Sequence, residues 1–400
     1  MESSSAPSII RATLARDAFA LEATRLGNDC VRNFVGFWHE RAPDLTTDEV
    51  SEPRVDDVES TGSSVLQTVV LGVQWPTLDP FLFCAHHVDH YPAANARMGP
   101  AASLEGRQIG MDFAGKDGWN MYHGSDVPGF PQHPHRGFET VSYARSGLID
   151  HADSMGAHAR FGTGDVQWMT AGKGVVHSEM FPLFDQDSRN PLEMFQFWLN
   201  LPAADKMVDP YFTMFWDADI PKVRTVGDDT RQAVVTIIAG RFGDTDPRPP
   251  PPNSWAARAE ADVAIWHVHL DAGAEVTIPA ATGDGTNRVV YLFEGDGLDI
   301  SGTLIRGSMG AVVIAARELT LVAPYAPAEC MILQGRPIGE PVAQNGPFVM
   351  NTDAEVRQAF VDYRDTRFGG WPWPSDAPTH GFDRDRFADH GDGRVELSET

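Results

Sequence analysis

The stretch Phe130-Pro131-Gln132-His133-Pro134-His135-Arg136-Gly137-Phe138-Glu139-Thr140 decides how the rest of the chain is read. Side chains alternate faces along an extended chain with period two, so His133 and His135 point to one side and both imidazoles reach one ion. The pattern returns in Val175-Val176-His177-Ser178-Glu179-Met180, where His177 and Glu179 share a face and Ser178 points away. These are four donors in two same-face pairs. Gly129, Gly137, Gly164, Gly172 and Gly174 flank them, as expected where strands turn sharply around a small barrel mouth.

From Ser60 onward the sequence is a series of short runs rich in β-branched and aromatic residues, separated by Gly, Pro, Asn and Asp. Residues 65–71, 140–144, 165–170, 175–180 and 192–199 read as strands. After a polar passage over residues 219–230 a second series follows at 233–239, 263–270, 275–278, 288–293, 311–314 and 319–322. The proline run 247–252 reads as a stiff loop within that series. Residues 288–295 stand where 139–147 stand in the first series, which two related β-barrels in tandem would explain. Residues 279–287, where the second copy's histidine pair would fall, contain no histidine, so the second barrel is expected to bind no metal.

Thr352 and Glu355 form a capping box, and Val356, Ala359, Phe360 and Tyr363 follow on one face, which predicts a C-terminal helix covering barrel surface. The expected fold is thus all-β, with two tandem barrels and one helix. The chain divides into an N-terminal extension and acidic linker (1–60), a metal-binding barrel (61–230), a barrel without metal ligands (231–350), the helix (351–370) and an extended tail (371–400). Within the extension, loosely spaced apolar residues suggest one or two short helices, and residues 44–59 carry seven carboxylates and one base.

A chain of 400 residues with 42% hydrophobic residues has enough material for two or three packed domains. A net charge of −25 argues against direct nucleic-acid binding, which needs clustered Lys and Arg, and against anionic membranes. Cys30, Cys84 and Cys330 are far apart without CxxC spacing, so a reducing compartment, the cytoplasm, is expected. No apolar run reaches the length of a membrane span, and no secretory leader pattern opens the chain. A monomer is expected.

Three imidazoles and one carboxylate suit Fe, Ni, Cu, Mn or Zn, and four ligands on an ion that prefers six leave two positions for substrate and dioxygen. The expected ligands are His133, His135, His177 and Glu179. Glu139 has the parity of the histidine pair and is the rival carboxylate, or else a partner that orients a ligand. His86, His87 and His90 lack a second phased pair and read as non-ligands, and His123, His151, His158, His267 and His269 as ordinary surface or core residues. Trp168, Met169, Phe130, Phe138 and Phe197 read mostly as barrel packing rather than cavity lining.

At these residues the sequence resembles the pirin family of the cupin superfamily. The resemblance rests on His133 through Val141, Asp150 through Gly156, Gly164 through Met180, Asn200-Leu201-Pro202 and Gly346 through Thr352, and it covers roughly residues 64 to 370. It implies a bicupin of jelly-roll barrels, with one mononuclear iron in the first and no ligands in the second; His133, His135, His177 and Glu179 match the family's ligands. It also implies one of two roles. The first is a dioxygenase that resembles quercetinases, taking an aromatic small molecule and dioxygen, with Glu179 as the base. The second is an iron-dependent, redox-sensitive regulator binding a transcription factor or metabolic enzyme. A zinc or manganese sugar-phosphate isomerase is disfavoured, since no basic cluster accompanies the site.

Overall fold

The structure is a computed structural model and describes residues 62–227 and 230–398. The readings made for the N-terminal extension lie outside those residues. The fold is two β-barrels in tandem, each a pair of sheets, closed by one helix. No helix among the described residues is long and apolar enough to cross a membrane.

The first barrel uses the strands β2 (Phe81–Tyr91), β3 (Gly129–His135), β4 (Phe138–Ser146), β5 (Leu148–Asp153), β6 (His158–Gly162), β7 (Val166–Thr170), β8 (Val175–Met180), β9 (Asn190–Asn200) and β10 (Tyr211–Phe215). One sheet has the order β10-β7-β4-β9-β2, and the facing sheet contains β6-β5-β8-β3. The preceding strand β1 (Val65–Val70) belongs to neither. It pairs antiparallel with Met309–Val313 in the second barrel, so the sequence span 61–230 and the first barrel do not coincide at that end.

The second barrel repeats the plan. Asn287–Glu294 lies between Met309–Val313 and Ala328–Gly335, as β4 lies between β7 and β9. Glu275–Ile278 pairs with Leu319–Val322 as β3 pairs with β8. The second-copy strand is therefore Glu275–Ile278 rather than residues 279–287, and its pair fills the barrel interior with Val276, Ile278, Leu319 and Leu321.

The barrels meet face to face. In Asn287–Glu294, Val290 and Leu292 point into the second barrel's core while Val289 and Tyr291 point into the junction. In β9, Phe195 and Phe197 enter the junction, while Met194 and Trp198 pack inside the first barrel. Strands buried on both faces read as nearly unbroken apolar runs. Each phenylalanine so buried contributes about 2 kcal/mol.

Asp353–Thr366 is the C-terminal helix, α1. Thr352 caps it by accepting from the Glu355 amide, and Glu355 reaches back to Thr352 and the Asn351 amide. Its buried face is Val356, Ala359 and Tyr363, of which Ala359 and Tyr363 cluster with Phe348 and with Val176 of the first barrel. Beyond it the tail is not merely extended: Phe387–Asp389 and Val395–Leu397 form a hairpin that adds to the free edge of β6. Ala388 is fully buried there, and Trp373 donates to the Asp153 carbonyl at 2.8 Å. The unpaired backbone of β6 supplies the reason, since an open sheet edge gains by taking a partner strand.

Candidate metal centre

β3 and β8 carry the histidines. Their antiparallel register sets His133 directly opposite His177, with a bulge between Phe130 and His133 that brings Phe130 opposite Glu179. Ring centroids are 4.4 Å apart for His133 and His177, 4.8 Å for His133 and His135, and 4.9 Å for His135 and His177. One nitrogen from each ring lies within 4.8 Å of the other two. Donors at about 2.1 Å from one ion stand at most about 4.2 Å apart, so rotamer adjustments of roughly half an ångström complete the site.

All three rings are buried, and burial, reinforced for His135 and His177 by the neighbouring imidazoles, holds their pKa values far down, to about 3 for His133. They are neutral bases with lone pairs to give. His133 Nδ1 donates to the Pro131 carbonyl at 2.8 Å, which places its lone pair on Nε2. His177 is fully buried, and neither ring nitrogen has a hydrogen-bond partner among the described residues. Such an orphaned buried ring costs about 1–3 kcal/mol unless something binds it, and a cation is what three convergent lone pairs fit.

Glu179 stands beside the triad. The group of three does not include it; its carboxylate accepts from Ser142 Oγ at 2.9 Å and Gln196 Nε2 at 2.8 Å. Burial pushes its pKa above the ordinary carboxylate range, opposed by the Ser142 hydroxyl, His151 and Gln196. Ser142 and Gln196 are the site residues that sequence reasoning missed. Gln196 had a signal, as the one polar residue in Met194-Phe195-Gln196-Phe197-Trp198.

Glu139 is elsewhere. Its carboxylate accepts from Thr170 Oγ1 at 2.6 Å and from Ser254 Oγ of the second half at 2.5 Å, at the barrel junction. Glu139 leaves the face of the histidine pair because Gly137, at φ +86°, turns the chain between β3 and β4 into the other sheet, where the alternation of faces restarts. Gly137 has no room for a Cβ, which would sit 1.9 Å from the Val349 carbonyl oxygen. Lys206 clamps this turn, donating to the Gly137 carbonyl (2.8 Å), Asn200 Oδ1 (2.7 Å) and the Val349 carbonyl (3.2 Å). Arg136 reaches Asp362 of α1 at 2.7 Å.

His133 and His135 open on a cavity of about 330 Å³ that is lined also by Phe83, Phe113, Phe130, Trp198, Glu179 and Gln196. Phe130 thus lines the cavity, whereas Trp168 and Phe197 are junction core. His151 is buried 5.5 Å from His177 and stacks on Phe212, and His86 stacks on Phe195. His87 lines the cavity.

Residues 72–199 match the family model described as pirin, and residues 265–369 the model described as pirin C-terminal cupin domain. A Pseudomonas aeruginosa protein named "putative quercetin 2,3-dioxygenase" is 37% identical over 249 residues, covering 60% of this chain and 79% of that protein. Human pirin is 33% identical over 257 residues, covering 63% and 81%. The crystal structure of a quercetin 2,3-dioxygenase from Acinetobacter baumannii superposes with a TM-score of 0.60 at 26% identity, covering 77% of this chain and 98% of that one.

Proposed function

The chain belongs to the pirin family, and from that premise we propose that it is a metal-dependent oxygenase of the quercetin 2,3-dioxygenase kind, acting on a flavonol or similar enolisable aromatic with dioxygen. One observation carries the reading: the orphaned ring of His177 meets His133 and His135, which line an aromatic-walled cavity. His133, His135 and His177 would hold the ion, with Glu179 as the fourth donor. Iron is the first choice, and the donor set equally suits nickel, manganese, copper or zinc. The ion would act as a Lewis acid on substrate oxygen and, if redox-active, assist dioxygen.

The chain's own residues supply the rest. Glu179, released from the ion, would take the proton of the substrate's enolic hydroxyl, because a carboxylate held on a cation is too acidic to act as the base. The resulting negative charge spreads to the adjacent ring carbon, where dioxygen adds. Ser142 and Gln196 hold the carboxylate at 2.9 Å and 2.8 Å so that it faces the substrate in one orientation. The phenyl and indole walls exclude water from the electron-rich ring.

Iron-loaded protein with quercetin under oxygen tests this. Oxygen uptake with a ring-opened product is expected, and the absence of both at verified metal occupancy would contradict it.

A further inference from the structure

Across the cavity from the triad, β2 carries Phe83, Ala85, His87 and Asp89 on its inward face, and the segment 92–128 folds over them. His87 Nδ1 lies 2.9 Å from the Tyr122 hydroxyl, which lies 2.6 Å from Asp89 Oδ2. Asp89 is fully buried, and its other oxygen accepts from the Asn120 amide at 2.8 Å and from Asn120 Nδ2 at 3.1 Å. A phenol has one proton to donate. Tyr122 gives it to Asp89 and therefore accepts from His87, which fixes the imidazole proton on Nδ1. Burial, and then His86, hold His87 down to about 4, so the ring is neutral and Nε2 carries a lone pair.

The arrangement is built rather than incidental. Tyr122 adopts φ +55°, a left-handed conformation costing about 1 kcal/mol for a residue with a side chain, and paired backbone bonds to Asp112 hold it there. Asp112 is anchored in turn by Arg107, whose guanidinium lies 3.3 Å over Trp119 and donates to the Trp119 carbonyl. Among the described residues, none donates to His87 Nε2.

We propose that His87 Nε2 is the acceptor for a hydroxyl of the substrate remote from the metal-facing oxygen, so that the cavity selects polyhydroxylated over sparsely hydroxylated aromatics. Phe130 lies between the two ends, its ring centroid 6.1 Å from His87 and 6.3 Å from His133, so a multi-ring aromatic lying along it reaches both. The Asp89–Tyr122–His87 chain makes this end of the cavity an acceptor without placing a charge there. This rests on the reading of the cavity as a flavonol-type site.

The test is equilibrium binding to the metal-free full chain of two probes, 3-hydroxyflavone and quercetin, which share the flavonol scaffold and its metal-facing 3-hydroxyl and differ in the hydroxyls on the other ring positions. Wild type is expected to favour quercetin by about tenfold, the worth of one hydrogen bond to a buried acceptor. His87→Phe should bring the ratio near one, and His87→Gln should retain part of it. Tyr122→Phe, which leaves His87 in place but removes the group fixing its tautomer, should lower the ratio too. Equal ratios in wild type and His87→Phe would overturn the proposal, as would binding of neither probe to wild type. Turnover of 3-hydroxyflavone by the iron-loaded forms separates the two readings: binding selectivity without turnover defeats the oxygenase alone, and turnover without His87-dependent selectivity defeats this inference alone.

Discussion

His133 and His177 face each other across the antiparallel pair of β3 and β8, their ring centroids 4.4 Å apart, with both nitrogens of His177 buried and without a hydrogen-bond partner among the described residues. A histidine pair placed this way by strand register is stiff, because both rings hang from a ladder rather than from a loop. Several consequences can be measured.

His177→Ala removes a buried ring whose nitrogens have no hydrogen-bond partner among the described residues. Metal titration should show affinity falling by more than the about 10–100-fold typical of losing an outer hydrogen-bonded partner, and elemental analysis at limiting metal should show reduced occupancy. His90→Ala, on the outer, exposed side of β2, should leave occupancy unchanged.

Ser142→Ala and Gln196→Leu each remove one donor from the Glu179 carboxylate. Metal content should be retained while kcat falls about tenfold in each variant, since orientation of the base and not its presence is lost. The check is steady-state oxygen uptake on protein of measured occupancy.

Glu139 should set a pH dependence of stability at the barrel junction. Burial, opposed by Ser254 and Thr170, raises its folded pKa from 4.5 to about 7. A raised carboxyl pKa means that the folded state binds the extra proton, so this contribution is full below pH 4.5 and is lost as pH rises through about 7, an effect of about 3 kcal/mol. Urea unfolding at pH 5 and pH 8 should show Glu139→Gln losing less stability over that interval than wild type.

Lys206→Met leaves the Gly137 and Val349 carbonyls and Asn200 Oδ1 without their shared donor. Stability should fall by about 2–4 kcal/mol, read as a lower urea midpoint. Metal affinity should drop with it, because the clamped turn directly follows His135.

What the sequence made legible follows from how locally each feature is specified. His133 with His135, and His177 with Glu179, lie within single strands, where period-two alternation holds, and the structure brings the three histidines together. Glu139 was not legible because Gly137 intervenes and moves the chain to the opposite sheet. The hairpin of the tail was not legible either: only Ala388 of Phe387–Asp389 is buried, and the stabilising edge lies on β6, more than two hundred residues earlier. β1 reads correctly as a strand, yet nothing local says that its partner is Met309–Val313. The Asp89–Tyr122–His87 chain joins residues about thirty positions apart through an irregular segment, although the alternation Phe83, Ala85, His87, Asp89 already singles out His87 from its neighbours His86 and His90.

The central claim is that one cation sits among three imidazoles in the first barrel. Anomalous diffraction at the iron edge, from crystals of the iron-loaded full chain, measures it most directly. The account predicts one peak per chain within about 2.2 Å of a nitrogen of each of His133, His135 and His177. No peak there, or a peak bound elsewhere with His177 uncoordinated, would contradict it.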